Sequence, residues 1–376
     1  MHYPRRNLLT ASDLFDKNDL PNIQKLRLHL QEEGRLEIDA VKQIVTRASY
    51  LLSLENNLLE INGTIKVVGS LHGHFYDLLT ILDRPNLVPD EKYVFLGSYV
   101  HGGMFGFETV IYLFALKISY PSKIFMLRGN EDCRVIGDLQ FAAECVFKYN
   151  KQVYNFIMDA LNYLPTAAVV NRKALCVHGG ISAKLKRLVE FSKITRLGEP
   201  LPDSILSEVL WTEPCLQQPK SSRDSSFSGI SERSATVCFS SDQLIEFLEM
   251  NNLQVLIRSN QPLHEGVYLH KVQIQSNTVK DDKINDTLKY RAPLISLCSA
   301  PNYQNYRNKG SYIVMTPDKI NIRQFLWVPR PYCLPYFLNA FSWTLPFVTE
   351  KVLLMIADLV EIVEKKSQNK EISIEI

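Results

Sequence analysis

Apolar residues fall along this chain in two patterns. Short runs of four or five end at glycine, and between them lie longer stretches where apolar residues recur every third or fourth position. The short runs are VVGSLHGH (Val67 to His74), YVFLGSYVHGG (Tyr93 to Gly103), IFMLRGNEDCR (Ile124 to Arg134) and LCVHGGIS (Leu175 to Ser182). Each predicts a buried strand running into a turn. Glycine at the end lets the backbone turn sharply and approach a ligand closely. Strand ends that each present a polar residue from such a turn predict one shared site. Helical spacing from Leu26 to Leu54 predicts two helices broken near Gly34, with further helical stretches at Phe75 to Leu82, Gly106 to Ser119, Leu139 to Leu161 and Ser241 to Asn251. Leu164 to Gly180 reads as two strands meeting at Asn171, Arg172 and Lys173, and Leu253 to Gln261, ISLCSAPNY, SYIVM and INIRQF add more strands. Strands alternating with helices predict a layered α/β domain. The polar stretches Cys215 to Ser234 and Ser276 to Lys289 predict a long surface loop and a hairpin or loop.

The C-terminal pattern is different. Pro346 to Lys366 reads PFVTEKVLLMIADLVEIVEKK, with Pro near the first helical position, Glu350 in the first turn and Lys365 and Lys366 at the end, as helix polarity favours. Val348, Val352, Met355, Ile356, Leu359, Ile362 and Val363 form one face, and Leu353, Leu354 and Val360 widen it beyond an ordinary stripe. A helix this apolar needs burial nearly all round, either on its own domain or on a partner.

Composition changes the picture little. At 376 residues, 46% hydrophobic and 22% charged, with net charge +2, the chain is ordinary for a globular protein and gives no steer toward nucleic acid. The seven cysteines form no CxxC pair and several lie in apolar runs, which predicts buried free thiols in a reducing compartment. No signal peptide and no membrane-length apolar run is read, so a cytoplasmic location is expected.

The four strand-turn blocks resemble, in order and spacing, the GDxHG, GDYVDRG, RGNHE and HGG signatures of the metal-dependent serine/threonine phosphoprotein phosphatases. From about Gln24 to Val363 the chain is similar to the calcineurin branch of that family, with NIRQF (Asn321 to Phe325) and Pro331 to Val352 the most specific segments. The resemblance implies a metallophosphoesterase-type sandwich of two mixed β-sheets flanked by helices, with a projecting C-terminal helix. It divides the chain into a lead-in (1–22), a phosphatase-like domain (23–328), a linker and docking segment (329–345), a calcineurin B-binding-like helix (346–366) and a tail (367–376).

The family's six metal-ligand positions carry over to Ser70, His72, Ser98, Asn130, His178 and Asn260. Only His72, Asn130 and His178 keep the family's residue types; the ligand is lost at Ser70, Ser98 and Asn260. Two divalent ions about 3.5 Å apart repel by roughly 19 kcal/mol at an effective dielectric of about 20. Neutral hydroxyls do not offset that, so none of the family's two metals (Fe/Zn or Mn) is expected as a cofactor, the alternative being a single ion on two histidines and an amide. The general-acid position holds Glu131, its orienter position His101, and the phosphate-clamping arginine position Gly102, while Arg233 and Tyr303 match further phosphate contacts. An ionised glutamate does not readily protonate a leaving alkoxide. The expectation is a catalytically impaired phosphatase homologue, with a mononuclear active phosphatase as the alternative. Glu131 and His101 are expected to meet within about 4 Å as an exchanged acid/orienter pair.

The same resemblance implies that Asn321, Ile322, Arg323, Gln324 and Phe325 form an edge strand for short PxIxIT-type docking peptides. It implies that Val352, Met355, Ile356, Leu359 and Val363 meet a calcineurin B-like EF-hand subunit, with Tyr332, Leu334, Leu338, Trp343 and Phe347 at a second docking groove. The segment that binds calmodulin in that branch is not matched, so calmodulin is not an expected partner.

Overall fold

The apolar runs form strands because the sequence gives each of them two buried faces. In the computed structural model, which describes residues 7–82, 91–215, 238–273, 290–334, 337 and 340–368, the strands are β1 (Leu58–Ile61), β2 (Ile65–Val68), β3 (Lys92–Phe95), β4 (Ile124–Met126), β5 (Ala167–Val170), β6 (Ala174–Val177), β7 (Glu213–Pro214), β8 (Cys238–Phe239), β9 (Val255–Arg258), β10 (Val267–Gln273), β11 (Tyr290–Leu297), β12 (Gly310–Met315) and β13 (Ile320–Phe325). They make a six-stranded sheet ordered β1-β5-β6-β9-β11-β10, a five-stranded sheet ordered β13-β12-β2-β3-β4, and the short pair β7-β8. Both large sheets are mixed: β2, β3 and β4 run parallel while β12 and β13 are antiparallel, and β5 and β6 form an antiparallel hairpin beside parallel neighbours.

Side chains alternate across each strand, which splits one apolar run between two cores. Ala168, Val170, Cys176, Ile257 and Ile295 of the six-stranded sheet meet Val67, Val94 and Ile313 of the other, so the sheets pack face to face. Ala167, Leu175, Val177 and Leu256 point the other way, against Val209 and Leu210 of the helix Ile205–Trp211 and Phe247 and Leu248 of the helix Ser241–Met250. The helix Gly106–Ser119 is buried on every side, packed by the helices Ile23–Gln31, Ile38–Ser53 and Phe75–Leu82. In the three-residue β5–β6 connection Asn171 and Arg172 stand at φ 53° and 54°, a left-handed pair that closes a tight turn with Lys173 N–H donating to Val170 O at 3.0 Å.

Several expectations need correction. The helical stretch Leu139 to Leu161 is two helices, Gln140–Lys148 and Lys151–Leu161, because Asn150 caps the second by accepting from the Val153 N–H. The C-terminal helix starts at Ala340 and runs to Gln368, so it continues through Pro346 at the loss of one backbone hydrogen bond. Cys133, Cys145, Cys176 and Cys298 are buried free thiols as expected, but Cys215 and Cys238 are joined as a disulfide, with Cα atoms 5.5 Å apart. Both sit on the short β7-β8 pairing, which brings sulfurs 23 residues apart in sequence together. Cysteine usage therefore lends no support to a reducing compartment. Ser276 to Lys289 and nearly all of Cys215 to Ser234 lie outside the described residues.

The chain divides into two compact units, 1–330 and 331–376. In the second, the helix Ala340–Gln368 carries Val348, Val352, Leu353, Leu354, Met355, Ile356, Leu359, Val360, Ile362 and Val363, all exposed. Among the described residues no helix is long and apolar enough to cross a membrane.

One stability prediction belongs to the sheet. On β10 the ring of His270 lies 3.0 Å from Ser296 Oγ, and burial pushes its pKa down to about 4. A histidine depressed in the folded state takes up protons first in the unfolded state, so stability is lost as pH falls from about 6.5 toward 4. The unfolding midpoint should drop over that window, and His270→Gln should flatten the drop in a pH series of thermal melts.

Candidate active site

The loops that follow β2, β3, β4, β6 and β9 converge. The first two are laced by backbone: the N–H groups of Leu71 and His72 donate to Ser98 O at 3.1 and 2.8 Å, and Gly73 N–H donates to Tyr99 O at 2.8 Å. A side chain on Gly97 would put its Cβ 2.3 Å from Gly129 N, so glycine is what lets the loops after β3 and β4 touch. His72, Ser98 and Asn260 stand at φ 48°, 57° and 79°, left-handed conformations that cost about 1–3 kcal/mol for a non-glycine residue unless its surroundings hold it there. Asp132 is part of what holds it. Fully buried, its carboxylate accepts from the N–H groups of Ser98 (2.8 Å), Tyr99 (2.9 Å) and Gly129 (2.7 Å), tying the two loops together.

Four of the family's ligand positions form one hydrogen-bonded chain. His178 Nδ1 lies 2.7 Å from Leu96 O, and a carbonyl only accepts, so Nδ1 carries the proton. Burial pushes the His178 pKa down to about 3, which leaves Nε2 as a bare lone pair. That lone pair faces Asn130 Oδ1 at 2.9 Å and Ser98 Oγ at 3.3 Å, and Ser98 Oγ is 3.2 Å from Asn130 Oδ1. Asn130 Nδ2 donates to Asn260 Oδ1 at 2.7 Å.

The other predicted residues are arranged differently. His72 Nδ1 meets Glu131 Oε2 at 2.5 Å, and the His72 ring packs on Tyr303 with centroids 4.5 Å apart. Ser70 turns away to Ser259, whose Oγ accepts from Ser70 N–H and lies 2.7 Å from Ser70 Oγ. The expected Glu131–His101 pair does not form. Glu131 is taken by His72, while His101 Nδ1 is buried without a hydrogen-bond partner among the described residues and burial lowers the His101 pKa. A Cβ on Gly102 would lie 2.5 Å from Tyr303 Cε2, so the aromatic ring fills the space beside the family's arginine position. Burial also raises the Tyr303 pKa. Arg233 lies outside the described residues.

Asp132 and Ser259 were missed by sequence reasoning, although each directly follows or precedes a residue that was singled out. A further buried set was also missed: Asp77 Oδ1 accepts from Val328 N–H at 3.0 Å, and Arg330 Nη1 lies 3.0 Å from His74 Nδ1.

In the docking segments, β13 is the outermost strand of the five-stranded sheet, paired among the described residues only with β12, and carries Asn321 to Phe325. An apolar hollow of about 580 Å³ opens beside it, lined by Ile320 and Ile322 together with Val255, Leu269, Ala292 and Ile295. Tyr332, Leu334 and Phe347 are exposed, whereas Leu338 and the side chain of Trp343 lie outside the described residues.

Two mixed sheets face to face, with a polar cluster where the strand-end loops of both converge, define the metallophosphoesterase class. Residues 63–260 match the calcineurin-like phosphoesterase family model, and the chain belongs to that family. It is 34% identical over 370 residues to the serine/threonine-protein phosphatase 2B catalytic subunit A1 of Saccharomyces cerevisiae, an alignment covering 96% of this chain and 64% of the relative. It is 32% identical to a protein phosphatase 2A catalytic subunit of Dictyostelium discoideum, over 77% of this chain and 86% of that protein. Among solved structures, a serine/threonine phosphatase from S. cerevisiae with similarity to human phosphatase PP5 superposes with TM-score 0.69 at 26% identity, covering 82% of this chain and 96% of that one. The chain spans less than two thirds of the length of the yeast 2B relatives, which it covers to 64% and 61%.

Membership corrects the expectation of no cofactor, because the family is one of metal-dependent phosphoesterases. The donor set is consistent with the correction for one ion. His178 Nε2, Asn130 Oδ1 and Ser98 Oγ form a triangle of edges 2.9, 3.2 and 3.3 Å. Ligands about 2.0–2.1 Å from a common ion have such separations. The set does not fit a pair of ions, since no carboxylate stands at Ser70 or Ser98 to offset the repulsion between them.

Proposed function

We propose that this chain is a phosphatase-family protein with impaired hydrolysis, working as a binding protein for short docking peptides and a calcineurin B-like subunit. The observation that carries this reading is Glu131. The leaving-group acid position holds a glutamate engaged by His72 Nδ1 at 2.5 Å, in place of the family's histidine. With Gly102 at the arginine position and Tyr303 beside it, a bidentate phosphate contact is also missing there. The docking side is supported by the free edge of β13, its neighbouring hollow, and the exposed apolar helix Ala340–Gln368. An extended peptide added to β13 would pair its backbone with the strand and sink alternate side chains into the hollow.

The second reading, an active phosphohydrolase with one ion, is favoured by the Ser98–Asn130–His178 triangle. An ion bound there would polarise a phosphoryl oxygen. The test is turnover on a phosphopeptide with added Mn²⁺ or Zn²⁺, set beside binding of a PxIxIT-type peptide. Turnover on the order of 10⁴-fold below a two-metal phosphatase is expected, together with peptide binding that Ile322→Asp abolishes. Robust turnover lost in His178→Ala would establish the second reading instead, and no peptide binding would remove the docking role.

A further inference from the structure

The edge of β13 has a matching strand pattern elsewhere in the same sequence. Residues 370–376 read KEISIEI, in which Ile372, Ile374 and Ile376 alternate strictly with Glu371, Ser373 and Glu375. Period-two alternation of β-branched residues is the pattern of a strand with one apolar face. β13 is divided in the same way. Ile320 and Ile322 line the apolar hollow, and strand alternation turns Asn321 and Arg323 to the opposite face. We propose that residues 370–376 of a second copy of this chain pair with the free edge of β13, placing their isoleucines in the hollow. This rests on the reading of β13 as a docking edge and names one occupant for it.

Three observations support this assignment. With the isoleucines toward the hollow, alternation brings Glu371, Ser373 and Glu375 to the face that carries Asn321 and Arg323, so apolar meets apolar and polar meets polar. The charges are complementary as well. Lys319 and Arg323 are exposed, with Asp318 as the one carboxylate from Asp318 to Phe325, whereas the segment carries Glu371 and Glu375 against Lys370. Chain length favours a second copy. The helix Ala340–Gln368 has 29 residues and is about 43 Å long. Residues 369–376, which lie outside the described residues, span at most about 28 Å and cannot double back to the start of that helix. The edge of a neighbour carries no such limit. Each copy has one edge and one such segment, so the contact is head-to-tail. A single short strand on an exposed edge binds weakly, with Kd on the order of 100 μM, so at tens of micromolar most edges stay open to other peptides.

The test pairs two variants of the full chain in a mild non-ionic detergent that covers the apolar helix. The receptor carries Ile374→Asp and keeps its edge, while the donor carries Ile322→Asp and keeps residues 370–376. Immobilised receptor should bind donor saturably, and a donor that also carries Ile374→Asp should bind at least about 10-fold more weakly. The free peptide KEISIEI should compete with a PxIxIT-type peptide for the receptor. Arg323→Glu in the receptor should weaken KEISIEI by about 3-fold, and a peptide with both Glu371→Lys and Glu375→Lys should recover that loss. Donor binding indifferent to Ile374→Asp would overturn the proposal. So would a receptor that takes the PxIxIT-type peptide but neither donor nor KEISIEI, a result that leaves the docking edge standing. A receptor that binds neither peptide would overturn the docking edge and this occupant together.

Discussion

Purified without a partner, the chain is expected to self-associate through its C-terminal helix, and the pair Val352→Glu and Leu359→Glu is expected to return it to a monomer. Ten large apolar side chains between Val348 and Val363 are each 47–65% exposed, on faces that together circle most of the helix. Full burial of such a side chain contributes about 1.5–3 kcal/mol, so half-exposed residues retain roughly 1 kcal/mol each. Ten of them leave about 10 kcal/mol to be gained by covering the helix, of the order of what association costs in lost freedom. Contiguous apolar surface on this scale marks an interaction site or an aggregation liability. Light scattering at tens of micromolar would decide. A monodisperse monomer for the parent chain would show that the helix needs no cover, and the proposed subunit interface would lose its main support.

Replacement of Asp132 by alanine is expected to lower stability by about 4–5 kcal/mol. The carboxylate is fully buried and accepts from three backbone N–H groups belonging to two loops. Each hydrogen bond to a charged group contributes about 1.5–3 kcal/mol, and the alanine would strand buried donors as well. In a protein of this size such a loss should bring the thermal midpoint down by roughly 5–6 °C. Asp132→Asn should recover part of it, since one oxygen still accepts while the amide nitrogen faces a backbone N–H. A midpoint within about 2 °C of the parent would mean that the lacing between Leu71–Gly73 and Ser98–Tyr99 holds the loops without Asp132.

Much of this fold could be read from the sequence because its strands are short, continuous apolar runs with glycine at their ends, a pattern that follows from burial on both faces. The β5–β6 hairpin was legible for similar reasons of local chemistry, whereas the edge position of Asn321 to Phe325 was implied by the family resemblance and not by the residues alone. What escaped depended on pairing in space. Apolar spacing runs across Tyr149 and Asn150 without a gap, so only the Asn cap betrayed the break between the two helices. Cys215 and Cys238 lie 23 residues apart, and connectivity of that kind is not written in the spacing. His101 was the expected partner of Glu131, but the turn after β2 brings His72 to it instead, a pairing the sequence reading did not consider. The triangle of Ser98, Asn130 and His178 shows the same limit: residue types suggested a depleted ligand set, whereas only the fold showed that these three side chains meet within 2.9–3.3 Å of one another.

The disulfide between Cys215 and Cys238 has one more consequence. A single backbone cut between those residues would leave two fragments, the first carrying β1 to β7 and the second β8 to β13. Each large sheet draws strands from both: β1, β5 and β6 lie in the same sheet as β9, β10 and β11, and β2, β3 and β4 in the same sheet as β12 and β13. The nicked molecule would be a covalently linked, interleaved pair, migrating as one band on a non-reducing gel and as two after reduction. Even after reduction, neither fragment could leave without dismantling both sheets.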